Sequence, residues 1–460
     1  MSALTRLVLV LLGLGLLVGC PAPPPPKPPP TPPPAVPEPD PDPEPVVDDD
    51  LTVGSVNGLD VMVKEIEAEL TTMQLYVRGG ARFRNAENAG LSSLAVRASV
   101  TGGTSNLDKD DFDKALFELG TEIGATSLNA YSMFYAKSLQ ENTEHSFDLL
   151  ADVFLQPALP AKEIELQRAR LLTQIKARIS APDGQLAEQS RHLFYAGHPY
   201  EHAASGTLLT VPNFTRDDLV EHMASLRKTA RLAIVVVGPV DYTTVAGWVK
   251  RRFGDLPRGD YQPPPLPPVK HAAPQLRTTE LKIPTSYVES SFTTPGWQDD
   301  DFAASILALR MLRKRLFDEV RTKRGLSYAP TARHSWTSDV TRGALYVSAD
   351  KVNETMKVMF DEVEKMKYEL VGEVELRGAK SVFITSQYLA NESTDGQASW
   401  IAMCALVGGD HRLRHELPKR IEAVTPQQVR AFAREHMTNM QTVVVGSADV
   451  DPKLFPSAEK

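Results

Sequence analysis

Cysteine is almost missing from this sequence. Cys20 and Cys404 are the only two in 460 residues, and Cys404 lies in the apolar run WIAMCALVGG, where a small buried core residue is expected. A long apolar run is missing too. The stretch from Leu7 to Val18 is well short of the roughly 20 residues that a bilayer-crossing helix needs, so it reads as an export signal. Basic blocks are absent, and the net charge is −8. That balance excludes nucleic acid as an expected partner.

What is present begins with the signal. The stretch ends LVGC, and this resembles a bacterial lipoprotein signal in which residues 1–19 are removed and Cys20 becomes the lipid-bearing first residue. The expected location is therefore the cell envelope, anchored in a membrane through lipid on Cys20. Pro21 stands where an Asp often retains such lipoproteins at the inner membrane. In a cell with two membranes the expectation is thus the outer membrane, facing the periplasm. Residues 20–50 follow as a stalk, and 16 of the chain's 36 prolines fall between residues 21 and 50. A segment so poor in amide donors and apolar side chains cannot pack, and as extended polyproline it would reach roughly 90 Å. With Cys20 committed to lipid, Cys404 has no partner for an internal disulfide.

The remainder suits two domains. A proline-rich linker, residues 259–275 (GDYQPPPLPPVKHAAPQ), separates a first half, 51–258, from a second, 276–452, with a tail at 453–460. Both halves end alike, as FTRDDLVEHMASLRKTARLAIVVVGPVD and as VTPQQVRAFAREHMTNMQTVVVGSAD. Each combines a helix-capping Thr, an amphipathic helix and a β-branched run closed by Gly. Thr215 pairs in this way with Thr425, and Gly238 with Gly446, at nearly equal offsets, the mark of a duplicated domain.

LTVGSVNGLDVMVKE predicts a hairpin turning near Asn57-Gly58, and TTMQLYVRGGARFR a further strand. Helices are expected near 89–100, 111–122, 139–155, 161–179 and 184–194. In the second half a strand at TSYVESSFTTPG precedes a long helix over 298–323, a strand at GALYVSA and a helix over 350–369. Strands at both ends with helices between give an α+β sandwich built twice.

With these residues in view the chain resembles the zinc peptidases of the M16 family, the insulinase, mitochondrial-processing-peptidase and pitrilysin-like group. The resemblance implies two tandem α/β sandwich domains of the LuxS/MPP-like metallohydrolase type, forming a clam shell around a peptide. In the family a helix of the first half carries His-x-x-Glu-His in a frame opened by Gly-Leu and closed by Gly-Thr. Two His one turn apart hold Zn²⁺, the Glu takes a proton from the metal-bound water, and a later carboxylate completes the ligands. Here Gly90, Leu91, Gly103 and Thr104 keep the frame, yet the ligand positions are Ser93 and Arg97 and the base position is Val96. The later ligand falls on Thr173 or Gln174, with Gln174 carried as the candidate. None of these residues suits zinc: Ser is a poor ligand, Val accepts no proton and Arg is permanently charged. HPYEH at 198–202 matches His-x-x-Glu-His formally, but Pro199 fits a helix only in its first turn.

In the second half, LRKRLFDEVRTKRGLSYAP resembles the family segment in which an Arg and a Tyr reach the active site, and it supplies Arg321 and Tyr328. A guanidinium and a phenol can both donate to an oxygen that gains charge in the transition state. A chain with this pair and no zinc ligands resembles the non-catalytic member of a two-subunit M16 peptidase. The resemblance implies no cofactor in this chain, zinc in a partner subunit with intact His-x-x-Glu-His, and peptides or unfolded proteins as substrate. Alone, such a chain would not be an enzyme. A peptide-binding or structural scaffold lipoprotein is the alternative, followed by an autonomous metallopeptidase using His198 and His202.

Overall fold

The computed structural model of this chain describes residues 42–446 and 449–454. The export signal, Cys20, most of the stalk and the end of the tail lie outside the described residues. The first half runs β1 (Val46–Asp48), β2 (Leu51–Val56), β3 (Leu59–Glu65), β4 (Leu70–Arg78), α1 (Leu91–Ser99), α2 (Lys109–Glu118), β5 (Glu122–Ser127) and β6 (Tyr131–Leu139). It continues with α3 (Thr143–Leu155), α4 (Ala161–Ser180), α5 (Pro182–Phe194), α6 (Arg216–Leu226), β7 (Leu232–Gly238) and α7 (Tyr242–Phe253). The second half opens with β8 (Gln275–Glu280), β9 (Ser286–Thr293) and α8 (Phe302–Leu316), which runs into a π-helical turn, Phe317–Thr322. Then come β10 (Thr331–Ser335), β11 (Arg342–Ala349), α9 (Val352–Tyr368), α10 (Glu373–Ala390), α11 (Thr394–Ala402), α12 (Leu413–Ala423), α13 (Pro426–His436) and β12 (Gln441–Gly446).

The duplication is visible in the sheets. One is ordered β1-β2-β3-β7-β4-β6-β5 and the other β10-β11-β9-β12-β8. Without the β1–β2 hairpin, the first sheet has the order of the second read from its other edge. The single parallel pair also recurs, as β3–β7 and β8–β12. Thr215 and Thr425 occupy matching places and each closes a capping box, with Asp218 and Gln428. The β2–β3 hairpin turns at Asn57 and Gly58, both at positive φ, as a two-residue turn requires.

Four expectations are corrected. The stalk ends by residue 41 rather than 50, because the Asp42 carboxylate accepts hydrogen bonds from Ser55 Oγ and Gly58 N, and β1 pairs with β2. The linker ends at residue 274, since Gln275 already pairs with Gln441. Helix does not fill the middle of the first half: β5 and β6 form a hairpin there, and β6 alternates between buried and partly exposed residues along YSMFYAKSL. The second half holds more helix than expected, with α10, α11 and α12 between α9 and α13.

β7 (LAIVVVG) and β12 (QTVVVG) are buried along their whole length. A strand apolar on both faces needs a cover on each. On one face each half uses its own helices. On the other face the halves exchange helices. Leu186 and Leu193 of α5 pack against Val443 and Val445, while Ala398, Ile401 and Ala402 of α11 pack against Val235 and Val237. Each exchanged helix begins with an Asp that meets the opposite sheet: Tyr346 OH donates to Asp183 at 2.7 Å, and Gln74 Nε2 donates to Asp395 at 3.1 Å. The next residue in each case is Gly. A Cβ at Gly184 would lie 1.7 Å from the Arg178 carbonyl oxygen, and one at Gly396 would lie 1.7 Å from that of Ala390. Only glycine lets these helices start so close behind the preceding ones.

Candidate functional site

Helix α1 is set by its frame. Gly90 stands at its N-terminus with φ near 97°, and a Cβ there would meet the Gly206 Cα at 2.8 Å, so two backbones touch where a side chain would part them. Leu94, Ala95, Val96 and Ala98 are buried in the first core, and α1 lies against α4 and α6. Ser93 is also buried, and Arg97, one turn later, is half-buried. Arg97 Nη1 donates to Gln174 Oε1 at 3.1 Å, joining the first-helix position to the later one across 77 residues. Thr173 turns instead to its own helix and donates to the Ala169 carbonyl, so of the two candidates only Gln174 meets Arg97.

The fold therefore brings the candidate residues Arg97 and Gln174 together, and their side chains do not fit zinc. The Arg97 guanidinium, always charged, lies against the oxygen that Gln174 could offer and would repel a cation there, and Val96 has no polar side-chain atom. Two groups of three potential metal ligands exist among the described residues, and neither includes a residue of α1 or α4.

The other formal match, in contrast, does not converge. Pro199–Glu201 is a single 3-10 turn, so His198 and His202 do not share one face of an α-helix. His198 Nδ1 accepts from Tyr200 N, and the Glu201 carboxylate binds Gly197 N and His192. Burial, then Arg82, holds His198 below the usual histidine range, which keeps its ring neutral.

One more pair borders α1. Ser92 Oγ and His222 Nε2 lie 2.9 Å apart, and burial, followed by the Arg231 charge, lowers the His222 pKa to about 4. The second half contains a similar pair: Thr294 Oγ1 is 2.9 Å from His334 Nε2, and burial lowers the His334 pKa to about 3. Cys404 is fully buried, as expected, and burial pushes its thiol well up.

Arg321 and Tyr328 sit elsewhere on the surface of the second half. Arg321 belongs to the π-helical turn that ends α8, a deformation that widens the helix and re-aims side chains. Its guanidinium stacks on Tyr328, 4.4 Å from the ring centroid, and on Phe317 at 4.9 Å. Tyr328 is 77% exposed, and no carboxylate pairs with Arg321 among the described residues. Arg321 borders a cavity of about 1560 Å³ whose wall includes none of Ser93, Val96, Arg97 and Gln174. Within one chain, then, the two groups of candidate residues form separate sites.

The fold defines a class: a duplicated α+β chain, here with no His, Cys, Asp or Glu on α1. Comparison with known proteins gives the family. The family model "Insulinase (Peptidase family M16)" matches residues 61–207, and "Peptidase M16 inactive domain" matches residues 213–383. An uncharacterized zinc protease of Mycobacterium leprae is 26% identical over 413 residues, covering 87% of this chain and 92% of its own length. The mitochondrial-processing peptidase subunit beta of Saccharomyces cerevisiae is 19% identical over 429 residues, covering 88% and 92%. A solved structure of a peptidase M16 inactive domain from Pseudomonas fluorescens has the same fold, with a TM-score of 0.79 at 18% identity, over 87% of this chain and 98% of that one. The chain belongs to peptidase family M16.

The exchanged helices went unread in the sequence, although a signal was there. Asp-Gly-Gln occurs at 183–185 and again at 395–397, at nearly the offset that relates Thr215 to Thr425.

Proposed function

We propose that this chain is the non-catalytic partner in a heteromeric M16-type zinc peptidase. The observation that carries this reading is the contrast between its two helices. On α1 the candidate ligand positions Arg97 and Gln174 are hydrogen-bonded to each other, while the end of α8 keeps an exposed Arg321–Tyr328 stack whose guanidinium has no ion-pair partner among the described residues. In this role Arg321 and Tyr328 donate hydrogen bonds to the substrate backbone and to the oxygen that gains charge during cleavage. The zinc belongs to a partner chain with intact His-x-x-Glu-His. The exchange of α5 and α11 ties both halves into one wall, so the substrate chamber closes between two chains. The yeast relative, named as a subunit of a peptidase, supports a multi-chain setting. Lipid on Cys20 holds the assembly to the envelope, with the proline-rich stretch as spacer.

The test is gentle solubilisation from the native membrane, with copurifying chains identified by mass spectrometry and zinc measured in the same fraction. A stoichiometric M16 chain bearing His-x-x-Glu-His, with about one zinc per pair, supports the reading. Recovery of the protein alone, without zinc, overturns it in favour of a peptide-binding scaffold.

A further inference from the structure

A small cavity beside the start of α1 has no part in the proposed role. Its volume is about 170 Å³, and its wall includes Val77 and Ser132 at strand ends, Ser92 in the first turn of α1 and His222 of α6. Arg84, from the segment between β4 and α1, and Arg231, just before β7, complete the polar lining. These two are the only side chains in the wall that carry charge, and no carboxylate borders the cavity among the described residues. His222 does not add to the charge, because burial and then Arg231 keep its ring neutral.

Both arginines are fixed by contacts that leave their charge unanswered. Arg84 Nη1 donates to Asn129 Oδ1 and to the His202 carbonyl, each at 3.0 Å, and Nη2 donates to the Leu128 carbonyl at 3.2 Å. Arg231 Nε donates to the Arg78 carbonyl at 2.9 Å, and its guanidinium stacks 4.7 Å from the Phe83 ring centroid and 5.9 Å from that of Tyr261. A guanidinium has five N–H donors, so Arg84 keeps donors to spare, and neither Nη group of Arg231 has a protein acceptor among the described residues. Nearby arginines differ: Arg78 pairs with Asp60 and Arg82 with Asp339, whereas Arg84 and Arg231 have no carboxylate within ion-pair distance among the described residues. Burial pushes the Arg84 pKa down to about 10 and lowers that of Arg231, so both remain charged at neutral pH in a setting that disfavours the charge. Two partly desolvated cations thus share one cavity without a countercharge, an arrangement that an entering anion relieves.

We infer that this cavity binds one small oxyanion group, a carboxylate or a phosphate, through the guanidiniums of Arg84 and Arg231. Planar forks of N–H donors match the paired oxygens of either group. Ser92 supplies a further donor: its Oγ lies 2.9 Å from His222 Nε2, and when that nitrogen donates, the hydroxyl proton is free for the anion. At about 170 Å³ the cavity holds the acidic group and little else, so a larger ligand enters by its acidic end alone. The site stands apart from the Arg97–Gln174 contact and is independent of the subunit role.

The test is isothermal titration calorimetry on the full chain at pH 7 with three probes: inorganic phosphate, N-acetyl trialanine with a free C-terminal carboxylate, and the C-terminal amide of the same peptide. Phosphate or the free-carboxylate peptide should bind with a Kd of about 1 mM or tighter, the amide at least about ten-fold more weakly, and binding should weaken as salt rises. Arg84→Gln and Arg231→Gln should each weaken binding by about ten-fold or more. If either variant folds poorly, Arg231→Lys keeps the charge without the fork and Ser92→Ala removes one hydroxyl, and each should weaken binding by about three-fold or more. Nuclear magnetic resonance of the His222 ring gives a second readout: its pKa should rise when a probe is bound, because the anion offsets the Arg231 charge, and a purely structural pair of arginines gives no such rise. Binding of phosphate alone assigns the site to free phosphate, and binding of the free-carboxylate peptide alone assigns it to a peptide end. Absence of binding by both at about 10 mM, or an unchanged affinity in the arginine variants, overturns the inference. No zinc-bearing partner is needed for this measurement, so its outcome is separate from that of the copurification.

Discussion

The two halves of this protein share a sheet order and differ in what their first long helix does. In the first half α1 is short, Val96 is buried and Arg97 is hydrogen-bonded to Gln174. In the second half α8 is buried almost all round for three turns, through Phe302, Leu307, Leu309 and Leu312, and then opens into a π-helical turn that brings Arg321 to the surface. Topology is the same in both copies while the side chains on these helices differ. A duplicated frame thus constrains strand order and packing more tightly than it constrains individual side chains.

The comparison breaks most readily at the seam. Leu186→Asp and Ile401→Asp each place a carboxylate where the exchanged helices meet the opposite sheet, and each should cost at least about 4 kcal/mol. Denaturant unfolding should show both halves lost together in each variant. Independent unfolding of one half would mean that the seam is not needed for either.

Arg321→Ala comes next in size and separates stability from activity. Unfolding free energy should change by less than about 0.5 kcal/mol, because the side chain packs only on exposed rings. In the proposed pair with a zinc-bearing partner, peptide hydrolysis should fall by about two orders of magnitude, the usual loss when a donor to a developing oxyanion is removed. Gln174→Ala in the same pair should leave hydrolysis within about two-fold.

The hydroxyl–imidazole pairs test whether the halves respond alike to acid. His222 and His334 are held neutral, with pKa values of about 4 and about 3. The unfolded chain takes up protons near 6.5, so their stabilising contribution is complete above that value and is lost as pH falls from 6.5 towards 4. At pH 5 the loss should be on the order of 1–2 kcal/mol per histidine. Chemical denaturation at pH 7 and pH 5 measures it, and His222→Gln with His334→Gln should flatten the difference.

The smallest effect is also the most symmetrical. Thr215→Ala and Thr425→Ala each remove one capping box and should each cost about 1 kcal/mol. A marked inequality in thermal unfolding would show that the duplicated ends have diverged in energy as well as in sequence.

Much of this was legible in the sequence because it depends on near neighbours. The Asn57-Gly58 turn needs positive φ at adjacent residues, the capping boxes need Thr and a polar residue three places on, and the frame around α1 needs its glycines. That Ser93, Val96 and Arg97 do not suit zinc also follows from side-chain chemistry alone. The β5–β6 hairpin was harder to read, because short strands of mixed polarity carry a weak period beside long amphipathic helices.

The sequence by itself thus determined the duplicated α+β architecture, the turns and caps, and the absence of metal-binding side chains from α1. Only the tertiary structure decided that Arg97 reaches Gln174, that α5 and α11 trade places across the two sheets, and that Arg321 stacks on Tyr328 with no ion-pair partner among the described residues. The physical reason is range. Caps and turns are settled within a few residues, whereas burial of the second face of a sheet and compensation of a charge depend on groups brought together from distant parts of the chain.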